Sequence, residues 1–141
     1  MIKYLDRIGT VQRLMPIQSR VQPMTLEEYF QGYEPSRPLF DAVRAALDAI
    51  GPTELRVSKS QVAFWRRKAV ARLWLPARYL RGESAPLVLT LGFDHQDSSQ
   101  RWKEIVEPAP GHFTHHIELY SIADIGEEVR DWLRKAWMAA G

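Results

Sequence analysis

The sequence predicts an α+β domain in which an antiparallel sheet of four to five strands is covered on one face by two N-terminal helices and one C-terminal helix. Two observations predict it. Hydrophobic residues recur at helical spacing up to residue 50, alternate with a period of two from residue 54, and return to helical spacing after residue 121. The chain has 141 residues, 45% hydrophobic and 26% charged, which is enough to bury one core without disulfides or a structural metal.

Residues 1–24 hold only fragments of alternation and read as an N-terminal arm or edge strand; residues 25–141 read as the domain. Thr25-Leu26-Glu27-Glu28 is a capping box, in which a threonine hydroxyl and a glutamate three residues on satisfy each other's backbone amides. A short helix follows, broken by Pro35 and Pro38. Ser36 is placed to cap a second helix, with Leu39, Phe40, Val43, Leu47 and Ile50 on one side and Gly51-Pro52 as its stop. Leu55 and Val57, Val62 and Phe64, Ala69 to Leu75, Leu87 to Phe93, and Phe113 to Tyr120 then read as strands of a meander. Asp94 to Glu107 is polar and reads as a long loop with a turn of helix at Arg101 to Ile105. Ile122, Ile125, Val129, Leu133, Ala136 and Ala140 mark the last helix, with acids early and bases late, in the order that suits a helix dipole.

The chain has no cysteine, which excludes thiol catalysis, zinc-thiolate sites and a disulfide framework, and fits a reducing cytoplasm. It has no apolar run near the ~20 residues of a membrane helix and no leader-like apolar segment, so no membrane partner is expected. Charge is sharply segregated. Residues 1–55 sum to −1, residues 56–82 to +8 with no acid, and residues 83–141 to −5. Fourteen of the 19 basic residues are arginine, the side chain suited to bidentate recognition of phosphate or carboxylate.

The motifs Ser58-Lys59-Ser60-Gln61-Val62-Ala63-Phe64, Arg66-Arg67-Lys68, Leu73-Trp74 with Pro76, Tyr79-Leu80, Pro86-Leu87-Val88-Leu89, Arg101-Trp102-Lys103-Glu104 and His115-His116-Ile117-Glu118-Leu119 follow one another along the chain. In that order they resemble the domain-of-unknown-function family numbered five-six-five-five, from about residue 25 to the C-terminus, with a distant likeness to YdhG-like proteins. The resemblance implies a small two-layer domain with an antiparallel sheet; it implies no reaction and no catalytic residues.

The side chains support three readings. In the first, the domain binds an anionic ligand, nucleic acid before others. Arg66, Arg67 and Lys68 at a hairpin tip would contact phosphates, Arg72 and Trp74 would line the surface, and Arg101, Trp102 and Lys103 would close over it. Lys59, between two serines, is a further point charge for a small anion, although the chain has no P-loop and no dinucleotide fingerprint. In the second reading the domain is an enzyme acting on a small anion, with His116 and Glu118 as an acid/base pair and Lys59 or Arg72 holding the substrate. His115 and His116 are adjacent in a strand and face opposite sides, so neither a shared metal ion nor any cofactor is expected. His115 falls on the apolar face as a hydrogen-bonded core residue. In the third reading the bare sheet face or the N-terminal arm forms a homodimer.

Overall fold

A computed structural model describes residues 24–141; the arm expected over residues 1–24 lies outside the described residues except for Met24. The helices are α1 (Leu26–Tyr29), α2 (Arg37–Ile50) and α3 (Glu127–Ala139). The strands are β1 (Glu54–Val57), β2 (Val62–Trp65), β3 (Ala69–Trp74), β4 (Leu87–Phe93), β5 (Glu104–Ala109) and β6 (His112–Leu119). They form one antiparallel sheet in the order β1-β2-β3-β4-β6-β5. The α+β class therefore holds, and the strand number rises to six.

The added strand is β5, which lies where the sequence suggests a loop and a helical turn. Its pattern is obscured because Ile105 and Val106 are adjacent apolar residues and because Pro108 lies within it, a residue tolerated on an edge strand where one amide needs no partner. Gly111 closes the turn into β6 at φ 77°, after Pro110, the pairing that a type II turn requires.

The capping box of α1 is present on both sides, with Thr25 N–H donating to Glu28 Oε1 at 2.9 Å and Glu28 N–H donating to Thr25 Oγ1 at 3.1 Å. Ser36, by contrast, does not cap α2. Its hydroxyl donates to the Pro86 carbonyl at 2.7 Å, fastening the start of the helix to the strand connection before β4. Ile122 does not belong to the last helix either. It lies in a 3-10 turn, 58% exposed, because Asp124 accepts the amides of Tyr120 and Ser121 and α3 starts only at Glu127.

One sheet face is apolar. Cross-strand sets such as Val57, Val62, Leu73, Leu89 and Ile117 meet Phe40, Val43 and Leu47 of α2 and Val129, Leu133 and Ala136 of α3 in a single core. The turn between β2 and β3 is tied to the end of α3. Arg66 lies 3.5 Å above the Trp137 ring and donates to the Trp137 carbonyl at 2.7 Å, while the Arg67 and Lys68 amides donate to the Ala140 carbonyl. These donors satisfy carbonyls that a helix end leaves open. Trp137 in turn donates to the Pro52 carbonyl at 3.1 Å. Gly51 leaves the room for that indole, since a Cβ there would collide with its Cζ2 and Cε2. Gly51→Ala is therefore expected to destabilise the domain by about 1–3 kcal/mol, the usual penalty for overpacking; a urea midpoint equal to the parent's would refute this.

Candidate anion-binding site

The register places one polar row across the second face of the sheet. Arg56, Ala63, Arg72, Thr90, His116 and Glu104 stand opposite one another on β1, β2, β3, β4, β6 and β5. Side chains alternate along a strand, so all six project to the same side.

At the centre of the row, Trp74 Nε1–H donates to Thr90 Oγ1 at 3.1 Å, and Thr90 Oγ1 lies 2.7 Å from His116 Nδ1. An indole only donates, so the threonine oxygen accepts from it; toward Nδ1 the same hydroxyl donates or accepts according to the imidazole tautomer. His116 is 4% exposed, and burial pushes its pKa down to about 4, with the facing Glu104 only partly opposing the shift. It is a neutral, dry hydrogen-bonding group at pH 7. Arg72, on the other side of Thr90, has no hydrogen bond, ion pair or ring contact among the described residues. It is exposed, and desolvation by the surrounding protein lowers its pKa while leaving it a cation.

Glu118 stands two residues along from His116, opposite Val88, and accepts from Tyr120 Oη at 3.3 Å. Glu118 shares the face of His116, as the sequence suggests, and the carboxylate directly opposite His116 across the ladder is Glu104. Glu104 was hidden by the reading of β5 as a loop. Tyr79 and Leu80, from the connection after β3, pack on Trp74 and Val88, so the second face is not bare at that end.

The other basic candidates are dispersed. Lys59 lies in the β1–β2 turn, exposed, and its carbonyl accepts from Arg78 at 2.7 Å. Arg66 is engaged with Trp137, which leaves Arg67 and Lys68 as the exposed charges of the hairpin tip. Arg101 is held by Glu128 at 3.0 Å and the Asp124 carbonyl at 2.8 Å. Lys103 is exposed, and its amide donates to the His116 carbonyl at 2.7 Å.

Two of the rings proposed to meet a ligand are core residues instead. Trp74 is 2% exposed. Trp102 stacks on Trp132 at 4.1 Å between centroids, meets His115 edge-on at 4.8 Å and donates to Asp97 at 2.9 Å. Apolar area and a bonded indole N–H hold it there, so it anchors the loop before β5 rather than closing over the sheet. The third aromatic of the hairpin, Trp65, is covered by Arg56 at 4.1 Å.

His115 faces the core as expected, with Nδ1 toward the Phe113 carbonyl and Nε2 accepting the Asp97 amide at 3.0 Å. Among the described residues no three histidine or carboxylate side chains are grouped to hold a metal ion, and no helix is long and apolar enough to cross a membrane.

A family model for a domain of unknown function, DUF5655, matches residues 26–140. The chain belongs to this family. No curated protein and no solved structure matches it detectably. The match covers every helix and strand of this DUF5655 domain, including the whole polar row, and carries no assigned chemistry. What the row can do must follow from its own groups: a cation with no counter-ion among the described residues, beside a hydroxyl and a neutral imidazole.

Proposed function

We propose that this DUF5655 domain is a binding module for an anionic ligand, with a phosphate or carboxylate group received by Arg72 on the second sheet face. The observation that carries the reading is the partly desolvated guanidinium of Arg72 at the centre of the row, which has no partner among the described residues. A guanidinium without a carboxylate keeps its five donors for a ligand, and charge-assisted bonds of that kind are the strong ones. Nucleic acid belongs to this reading as a polymer of the same phosphate, met by Arg72 together with Arg67 and Lys68. Base stacking has little support, because the indoles of the region are buried or covered.

Binding is favoured over catalysis by the state of His116. A base with a pKa of about 4 has little proton affinity at pH 7, whereas efficient general bases titrate near the working pH. A homodimer through a bare sheet face has less support, since Tyr79 and Leu80 occupy part of that face, and a homodimer through the N-terminal arm rests on residues outside those described.

The test is a titration read through tryptophan fluorescence, with inorganic pyrophosphate, a mononucleotide, a single-stranded oligonucleotide and a duplex at low and moderate salt. Arg72→Gln is expected to weaken binding by about tenfold or more, as expected for a lost hydrogen bond to a charged group. Binding that is steep in salt for the polymers alone identifies nucleic acid. Equal affinities of the parent and Arg72→Gln in every arm, or no binding in any, would overturn the proposal.

A further inference from the structure

Beside β1, at the edge of the sheet, lies an open groove of about 660 Å³. Met24 and Leu26 at the entry to α1, together with Leu55 and Val57 of β1, supply its apolar lining. Arg37 and Arg44 of α2 and Arg56 of β1 supply three positive charges, against one carboxylate, Glu27.

The three arginines differ in what they already hold. Arg37 donates through Nε to Asp41 at 2.9 Å, and Arg56 directs Nε and Nη2 to Glu54 while lying over Trp65. Arg44 is half-buried and has no carboxylate, carbonyl or ring partner among the described residues. A guanidinium with no carboxylate or carbonyl beside it keeps its donors for an incoming anion. The part of the chain that adjoins Met24, residues 1–23, carries Lys3, Arg7, Arg13 and Arg20 against Asp6, so its charge does not complement the groove.

We propose that this groove is a second binding site, for an organic anion with an apolar body: an acyl or aryl carboxylate. Its carboxylate pairs with Arg44 and its hydrocarbon lies against the apolar lining. The volume falls within the range of about 300–1,000 Å³ common to small-molecule sites, and a largely apolar lining with a few placed polar groups is their usual chemistry. The site stands on the sheet edge and α2, apart from Arg72, and does not depend on the function proposed above.

Calorimetric titration of Arg72→Gln, which lacks the cation of the anion site proposed above, with octanoate tests it, with octanol and inorganic phosphate as controls. Saturable binding of octanoate is expected, with octanol and phosphate at least tenfold weaker, since each lacks half of the match. Arg44→Met, introduced beside Arg72→Gln, keeps the length and apolar stem of the side chain and is expected to weaken octanoate at least tenfold. Absence of octanoate binding, or equal binding by Arg44→Met, would overturn the site. Phosphate binding as tightly as octanoate would overturn the ligand class.

Discussion

Trp102→Ala is expected to lower the stability of the domain by about 3–5 kcal/mol, the range for truncating a buried tryptophan. The indole is 8% exposed, lies against Trp132, Phe93 and His115, and donates to Asp97. Removing it leaves a cavity and takes one donor from a carboxylate that also accepts the Ser99 amide. Burial by itself would raise the Asp97 pKa; the Trp102 and Ser99 donors outweigh it and hold the carboxyl below its ordinary value. Urea unfolding of the parent and the variant measures the difference. A lid tryptophan behaves in the opposite way, so unchanged stability with lost ligand affinity would return Trp102 to the role that its sequence context suggests.

Acidification is expected to remove about 3 kcal/mol of stability between pH 7 and pH 4 through His116. The ordinary imidazole pKa is 6.5 and the folded one is about 4, so the folded state favours the neutral ring. Above pH 6.5 both states are neutral and the group adds no slope. As pH falls from 6.5 to 4 the unfolded chain takes up a proton that the folded chain refuses, and stability is lost. The difference of about 2.5 units at ~1.4 kcal/mol each sets the size. His115, whose pKa is also lowered by burial, contributes with the same sign, and so does the lowered Asp97, whose loss begins only below its ordinary value of 3.8. His116→Asn preserves a group that can accept from or donate to Thr90 and does not titrate. Its urea stability at pH 7 and pH 4.5 is expected to fall much less than the parent's, and equal losses would refute the assignment.

The signals that read correctly from sequence are local. The capping box at Thr25 and Glu28, the helix stop at Gly51, the apolar stripe of α2 and the alternation in β3 and β4 each depend on residues within a few positions of one another. The misreadings fall where a distant partner prevails. Ser36 is a good cap by type, yet its hydroxyl is taken by Pro86, fifty residues on. Arg66 resembles its neighbours at the hairpin tip, yet α3 captures it because a helix end presents free carbonyls and Trp137 presents a ring face. Trp102 stands between two bases in a polar stretch, yet Trp132 and His115 draw it inside.

The sequence by itself determined the α+β class, the helical and strand periods, and the face to which His115 and His116 each turn, because these follow from spacing along one element. Only the tertiary structure decided which cations have no partner among the described residues and which carboxylate faces His116. Both depend on strand order and register. A shift of one residue in pairing moves every side chain to the other face, and no local spacing encodes which strand becomes a neighbour.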